Sequence, residues 1–212
     1  ALQRCISRIT RRSIDGLFYY PENRGNRVLR KALSNHFTQD NFTFSSDDLI
    51  ITHGCLDAVR LAIETTTHEG DTIAIISPNY CGLLDLLSGL SRNIIEVPCH
   101  NAILDIKFLE ELMQTKTVQA ALLSTTHINP TGNSLSIHQK QKLAQLAEIH
   151  QIPIIEDDVY FELSHQKHTP LPLKTWDRMG YVLWCGSASK TLAPGLRIGW
   201  CLPGRFIDKY QV

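Results

Sequence analysis

Short apolar runs alternate with longer amphipathic segments along most of the chain. The apolar runs lack a strict apolar–polar alternation, which is typical of strands that helices cover on both faces. Seven runs predict strands: LIIT (49–52), GDTIAIISP (70–78), NIIEVP (93–98), VQAALLST (118–125), IPIIEDD (152–158), YVLWCGS (181–187) and RIGWC (197–201). Five segments with apolar residues at helical spacing predict helices: NRVLRKALSNHF (26–37), LDAVRLAIETT (56–66), LLDLLSGL (83–90), DIKFLEELMQT (105–115) and SIHQKQKLAQLAEIH (136–150), the last with Ser136 as its N-cap.

The order of these elements predicts an α/β fold. Strands separated by helices form βαβ units, and such units build a parallel sheet with a helical layer on each face. We therefore expect a three-layer α/β/α arrangement around a mostly parallel sheet of about seven strands. The chain has no internal repeat, low-complexity tract or long linker, so residues 1–212 are interpreted as one domain.

Composition and charge narrow the class of protein. A hydrophobic content of 43% over 212 residues is ordinary for a globular protein with a substantial core. The formal net charge is zero, which argues against a chain that itself clamps nucleic acid. No apolar run approaches the length of a membrane span, and the basic start lacks the apolar core of a secretory signal. These features predict a cytoplasmic protein without membrane contact.

Neither the cysteines nor the histidines predict a metal site. The six cysteines are scattered without a C-x-x-C pair, and several lie in apolar runs, so buried reduced thiols are expected. The nine histidines are scattered too, with no H-x-x-x-H spacing. Reduced thiols agree with a location in the cytoplasm.

Five polar or glycine-containing segments directly follow predicted strands: HGCL (53–56), PNY (78–80), TTHINPTG (125–132), EDDVY (156–160) and SASK (187–190). Each alone is ordinary, since N-P-T-G is commonly a turn, E-D-D a solvated loop and a lone lysine a surface charge. The carboxyl ends of parallel strands meet at one edge of a sheet, where open α/β sheets bind ligands. The coincidence of all five segments therefore predicts a ligand site at that edge.

One of these segments has the chemistry of an anion site, and another places a lysine directly after a strand. Gly54 stands between a strand and a helix, where backbone N–H groups can approach an anion and the helix dipole favours negative charge. Lys190 lies in the small-residue stretch GSASKTLAPGLRIGW (186–200), and Arg197 follows where the next apolar run begins.

Six motifs, in this order, resemble the large domain of the fold-type-I pyridoxal-phosphate enzymes, the class I/II aminotransferases. They are YPENRGNRVLR, ITHGCLDAV, SPNY, NPTG, EDDVY and SASKTLAPGLRIG, and they extend over nearly the whole chain. The resemblance implies the fold of that domain and pyridoxal 5'-phosphate as cofactor. Within the family, EDDVYFEL, the stretch from 170 to 200 and the trailing PGRF are most similar to the aminotransferase-like domains of MocR-type GntR transcriptional regulators.

The resemblance implies roles for the cations and hydroxyls of the bend. Lys190 matches the lysine that forms a Schiff base with the cofactor aldehyde, which requires an amine that can lose its proton near neutral pH. Arg197 matches the arginine that takes the cofactor phosphate, because a planar guanidinium suits bidentate recognition. Further phosphate contacts are implied for the hydroxyls of Ser187 and Ser189 and for the backbone N–H groups of Gly54, Cys55 and Leu56.

The same resemblance implies contacts to the cofactor ring. Asp157 matches the carboxylate under the pyridine nitrogen, which keeps the ring protonated as an electron sink. Tyr160 and Asn129 match the pair that binds the ring hydroxyl oxygen, and Tyr80 matches the aromatic that stacks on the ring. Tyr20 matches a tyrosine that reaches the phosphate from the other subunit, which implies a homodimer. The residues expected to act in catalysis are Lys190, Asp157 and Tyr160.

Three neighbouring residues fall outside the implied roles. Glu156 and Asp158 match no cofactor contact and are interpreted as structural. Ala188 stands where related regulators often carry an aromatic side chain, so looser surroundings are expected for the ring.

The resemblance also implies parts that these residues do not supply. Family members continue into a small domain with an arginine for the substrate α-carboxylate, and a regulator carries a winged-helix DNA-binding region before this domain. We therefore interpret the chain as a fragment that holds most of a cofactor site and an incomplete substrate site.

Three functional hypotheses remain open. The first is the cofactor- and effector-binding domain of a MocR-type GntR regulator. Such a domain binds an amino acid directly, and DNA is bound only through a region outside this chain. The second is the large domain of an aminotransferase that moves an amino group between an amino acid and a 2-oxo acid. The third, a non-catalytic relative that kept only the fold, is disfavoured because all of the polar cofactor residues are present.

Overall fold

Eight strands form one mixed sheet in the computed structural model, which describes residues 2–12, 22–39, 41–165 and 170–210. The strands are β1 (Ile50–Thr52), β2 (Thr72–Ser77), β3 (Asn93–His100), β4 (Ile103–Leu104), β5 (Ala120–Leu123), β6 (Ile154–Asp157), β7 (Val182–Ser187) and β8 (Gly199–Leu202). Their order across the sheet is β1-β8-β7-β6-β5-β2-β3-β4. The five strands from β7 to β3 run parallel, whereas β8 is antiparallel to β7 and β1, and β4 is antiparallel to β3.

Helices cover both faces of this sheet. Within the described ranges they are α1 (Leu2–Arg12), α2 (Arg27–Phe37), α3 (Cys55–Thr66), α4 (Cys81–Gly89), α5 (Ile106–Gln114), α6 (Ile137–His150) and α7 (Ile207–Tyr210). The core on one face contains residues of α5 and α6, and the core on the other contains residues of α3, α4 and α7. Of the helices that the structure describes, none is both long and apolar enough to cross a membrane.

Strand β2 shows why the parallel strands are apolar at every position. Its residues Ile73 and Ile75 belong to the core under α3 and α4, whereas Ala74 and Ile76 belong to the core under α5 and α6. All four are at most 1% exposed. A strand covered on both faces gains from burial at each position, so no polar alternation remains in its sequence.

The predicted three-layer α/β/α arrangement with a mostly parallel sheet is confirmed, together with the seven predicted strands and five predicted helices. The predicted cap of α6 is also present. Ser136 Oγ accepts a hydrogen bond from the Gln139 backbone N–H, and the Gln139 side chain accepts one from the Ser136 N–H. This reciprocal arrangement satisfies two backbone donors that a helix start otherwise leaves unpaired.

The eighth strand, β4, extends the predicted sheet by a short antiparallel hairpin. The turn between β3 and β4 consists of Asn101 and Ala102, both in the left-handed region with φ of 51° and 64°. Two residues are too few to show a hydrophobic period, and alanine rarely adopts positive φ, so the sequence pattern does not predict this hairpin.

Candidate functional site

A cleft of about 220 Å³ lies at the carboxyl ends of β5, β6 and β7, beside the start of α3. Ten of the twelve predicted site residues line it: Cys55, Leu56, Tyr80, Asn129, Asp157, Tyr160, Ser187, Ser189, Lys190 and Arg197. Ser124, Val159 and Pro194 complete the lining and were not predicted. A wider open groove of about 660 Å³ lies at the opposite end of the sheet and contains none of the predicted residues.

The turn before α3 brings a guanidinium next to a helix start. Gly54 has a φ of 102°, a backbone conformation that favours glycine, and a Cβ built there would lie 2.5 Å from Arg197 Nη2. Arg197 Nη2 donates to the His53 carbonyl oxygen at 3.0 Å. The N-cap residue Gly54 has no side chain with which to cap α3, so the first N–H groups of the helix lie near the guanidinium without a cap from that residue.

Arg197 itself adopts a left-handed backbone, with φ of 50° and ψ of 41°. Positive φ is uncommon for a residue with a Cβ and carries a conformational cost, and such residues cluster at ligand sites. The short helical turn Pro194–Leu196 precedes it, and the turn places the Arg197 side chain back across the chain toward His53.

The bend after β7 supplies the hydroxyls and the amine. Ser187 is the last residue of β7 and is 3% exposed, and its Oγ accepts a hydrogen bond from the Ser189 N–H at 3.3 Å. Lys190 is exposed, and its Nζ lies 5.6 Å from the centroid of the Tyr160 ring. The amine is therefore held over an aromatic face at the mouth of the cleft.

Asp157 ends β6 and presents a carboxylate to the cleft. Its Oδ1 accepts a hydrogen bond from Cys55 Sγ at 3.2 Å. Burial raises the pKa of Asp157 above its ordinary value, and the hydrogen bonds from Cys55 and from the Val159 N–H oppose that rise. The carboxylate is thus a partly desolvated acceptor with two fixed donors.

The other predicted ring contacts surround this carboxylate. Asn129 Nδ2 lies 3.5 Å from the Tyr160 hydroxyl, at the outer limit of a hydrogen bond. Tyr80 precedes α4 and is 41% exposed, and its ring lies so close to Gly82 that a Cβ there would approach it to 2.5 Å. The structure therefore brings Asn129 and Tyr160 together and leaves Tyr80 partly exposed at the cleft.

Glu156 and Lys140 belong to a buried polar cluster beside β6, which was not predicted from the sequence. Glu156 is fully buried, and its carboxylate accepts hydrogen bonds from Thr125 Oγ1 at 2.5 Å and from two backbone N–H groups, those of Leu173 and Lys174. Lys140, on α6, is 2% exposed and donates to Thr126 Oγ1 at 2.7 Å. These contacts join β6 and α6 to the segments that follow β5 and precede β7.

Asp158 belongs to the same buried cluster and lies away from the cleft. Its Oδ2 accepts a hydrogen bond from Trp184 Nε1 at 2.9 Å. Burial, followed by repulsion from Glu156, raises the pKa of Asp158 to about 8, although the charge of Lys140 opposes the rise. Asp157 and Asp158 are adjacent in sequence yet occupy different environments, because Asp157 ends β6 at the cleft whereas Asp158 binds the buried Trp184 indole.

Two further expectations stay predictions. Ala188 is 7% exposed, packs in an aromatic cluster with Trp184 and Trp200, and does not line the cleft, so its effect on the ring's surroundings is not tested. Tyr20 lies outside the described residues.

Comparison with known proteins adds the family. The family model for aminotransferase class I and II matches residues 1–204. The HTH-type transcriptional regulator YjiR of Escherichia coli K12 is 34% identical over 98% of this chain and 44% of that protein. Aromatic-amino-acid aminotransferase 1 of Thermococcus litoralis is 29% identical over 91% of this chain and 48% of that protein.

A solved structure gives the same result in three dimensions. The Pyrococcus horikoshii kynurenine aminotransferase in complex with PMP superposes with a TM-score of 0.88 at 27% identity, over 99% of this chain and 53% of that one. The chain thus spans about half the length of the relatives that it matches. The chain belongs to the class I and II aminotransferase family.

Proposed function

We propose that this chain is the pyridoxal 5'-phosphate-binding domain of a MocR-type regulator of the GntR family, with an amino acid as its effector. The observation that carries the proposal is the convergence of an anion-binding helix start, a carboxylate and a lysine amine in one cleft. Pyridoxal phosphate, the cofactor of this family, presents a phosphate, a pyridine nitrogen and an aldehyde, which match those groups. The alternative, a working aminotransferase, has the weaker support of a 29% identical relative against 34% for the regulator.

The proposed phosphate position is the start of α3. The N–H groups of Cys55 and Leu56 and the Arg197 guanidinium would hold the phosphate, together with the hydroxyls of Ser187 and Ser189, which line the same cleft. A Cβ at residue 54 would lie 2.5 Å from Arg197 Nη2, so a larger residue there would displace the guanidinium from this position.

The proposed ring position lies against Asp157. A carboxylate held by two donors favours a protonated pyridine nitrogen, and Asn129 and Tyr160 offer an amide and a hydroxyl to the ring oxygen. Tyr80 lines the cleft and is 41% exposed, and its aromatic ring would stack on the cofactor ring. The residues present therefore fit the whole cofactor.

Lys190 is the residue whose amine is proposed to react with the cofactor aldehyde. When bound, the cofactor supplies an aldehyde that condenses with amines and a ring that accepts an electron pair from an adjacent carbon. Lys190 Nζ, near the Tyr160 ring, would hold the cofactor in the resting protein and carry a proton once an amino acid takes its place.

The cleft offers little for an amino acid's carboxylate. Among the lining residues that the structure describes, the cations are Lys190 and Arg197, and the proposal uses both for the cofactor. Without a cation to orient the α-carboxylate, most of the rate advantage of a positioned substrate is lost, which amounts to several kcal/mol, about 7–11 in favourable cases. Binding of an amino acid can nevertheless shift a conformational equilibrium if it favours one state, and DNA would be met through a region outside this chain.

We expect the purified protein to bind pyridoxal phosphate and to transfer amino groups slowly. Absorbance spectra with the cofactor, followed by a panel of amino acids, measure both properties. Arg197→Met should weaken cofactor binding about 10- to 100-fold, because a charge-assisted hydrogen bond contributes about 1.5–3 kcal/mol. Rapid, multiple-turnover conversion of a 2-oxo acid by this chain would contradict the regulator proposal and support the alternative. Absence of cofactor binding would contradict both.

We also propose a homodimer in which Tyr20 contacts the phosphate of the other subunit, on the strength of the YPENRGNRVLR motif. Cofactor affinity should then fall as the protein is diluted through dimer dissociation, and Tyr20→Phe should weaken binding about fivefold, the effect of one lost hydrogen bond. Sedimentation and cofactor titration over the same concentrations check this. A monomer with full cofactor affinity would contradict it.

A further inference from the structure

The thiol of Cys55 contacts the carboxylate that faces the cleft. Cys55 is the first residue of α3, and its Sγ lies 3.2 Å from Asp157 Oδ1, across 102 positions of sequence. That distance is well inside the range of a hydrogen bond from sulfur. An S–H group is a weak donor, yet it is a donor aimed at an ionisable oxygen in a partly buried place.

Packing confines the cysteine side chain on its other sides. Cys55 is 9% exposed and lies in the apolar core under α3, with Cys185 of β7 and Cys201 of β8 in the same cluster. The sulfurs of Cys185 and Cys201 are 3.7 Å apart and fully buried. A small apolar side chain would fill this space equally well, so packing alone does not require a donor at residue 55.

Cys55 contributes to both the proposed phosphate position and the proposed ring position of the cleft. Its backbone N–H belongs to the uncapped helix start that faces the phosphate position, and its side chain holds the carboxylate at the ring position. We infer that Cys55 is a positioning residue, whose thiol fixes the orientation of Asp157 and links it mechanically to the anion-binding start of α3. This inference rests on the proposed function and deepens it.

The protonation states of the pair agree with a donating thiol. Burial, followed by the charge of Asp157, raises the pKa of Cys55 well above its ordinary value, so the sulfur keeps its proton near neutral pH. The same hydrogen bond opposes the rise in the pKa of Asp157 that burial causes. Loss of the thiol should therefore raise the pKa of Asp157 further and extend its protonated form to higher pH.

Other ionisable groups lie around Asp157 and stay constant in this comparison. They are Asp158, which follows β6, Cys185 on β7, and Tyr160, Lys190 and Arg197 around the cleft. A change confined to residue 55 leaves their charges in place. A shift in the pH profile can then be assigned to the lost donor.

The first experiment compares Cys55→Ala with Cys55→Ser by titration with pyridoxal phosphate across pH. We expect Cys55→Ala to bind about fivefold more weakly, the effect of one lost hydrogen bond, and to lose affinity at a higher pH on acidification than the unaltered protein. Cys55→Ser keeps an O–H donor and should restore both the affinity and the pH profile. Equal profiles for the alanine variant and the unaltered protein, or equal losses in alanine and serine variants, would overturn the inference.

The second experiment needs no cofactor and therefore separates this inference from the proposed function. Alkylation of the cofactor-free protein with iodoacetamide, resolved by peptide mapping, follows Cys55 alone across pH. Asp157→Asn removes the neighbouring charge, so the pH at which Cys55 becomes reactive should fall, while that of exposed Cys81 stays unchanged. An unchanged Cys55 profile in Asp157→Asn would overturn the contact. If Cys55 responds and the unaltered protein binds no cofactor, the proposed function fails and the pairing of Cys55 with Asp157 stands.

Discussion

Lys190→Arg is expected to abolish covalent attachment of pyridoxal phosphate to the protein. A lysine amine can lose its proton and condense with an aldehyde, whereas a guanidinium stays charged near neutral pH. Arginine keeps the positive charge at the mouth of the cleft, so the variant loses the reactive amine but not the charge. Borohydride reduction of the cofactor-loaded protein, followed by peptide mapping, should place the label on Lys190 in the unaltered protein and leave only background in the variant.

The matched control for this experiment is Lys107→Arg. Lys107 is an exposed lysine on α5, on the helical layer that covers the sheet, and it does not line the cleft. Its replacement should leave both labelling and the cofactor spectrum unchanged. Label on another lysine of the unaltered protein, or full labelling of Lys190→Arg, would refute the assignment of the reactive amine.

The strands and main helices were predictable because burial leaves a trace in sequence. Strands such as β2 and β5 lie between two helical layers, so they are apolar at every position, and α6 carries its own cap at Ser136. The hairpin that adds β4 leaves no such trace, since two residues show no period and Ala102 is an unusual residue for positive φ. The antiparallel direction of β8 relative to β7 is likewise not encoded by a pattern within the strand.

The candidate site was predictable as a set of motif residues and less so as a set of contacts. The motifs placed ten residues in the cleft, because each follows the carboxyl end of a strand or starts a helix there. The contact between Cys55 and Asp157 depends on the position of α3 against β6, which no local pattern encodes. Lys140 reads as a polar position of an amphipathic helix, yet its amine reaches buried oxygens of Thr126 and Leu171.

Asp157→Asn is expected to weaken cofactor binding by about 10- to 100-fold, since a hydrogen bond to a charged group contributes about 1.5–3 kcal/mol. An amide in place of the carboxylate no longer favours a protonated pyridine nitrogen, so any step that needs the ring as an electron sink should slow as well. Equilibrium titration with pyridoxal phosphate at pH 7 measures the first effect. Retention of full affinity would show that Asp157 does not contact the ring.

Asp158→Asn is the matched control, because the same substitution one residue away falls in the buried cluster. Asp158 has a pKa of about 8 in the folded protein, raised first by burial, against about 4 when unfolded. Between these values the folded state binds more protons than the unfolded state, so the free energy of unfolding should fall as pH rises from about 4 to about 8. We expect the free energy of unfolding to fall by about 1–3 kcal/mol over this range. One titrating group can change it by at most about 1.4 kcal/mol per pH unit, and the expected change is smaller because Glu156 and Lys140 share the cluster.

The asparagine variant should lose much of this pH dependence in denaturant titrations and keep its cofactor affinity within about twofold. The opposite pattern, in which Asp158→Asn weakens cofactor binding and Asp157→Asn does not, would move the ring contact to Asp158.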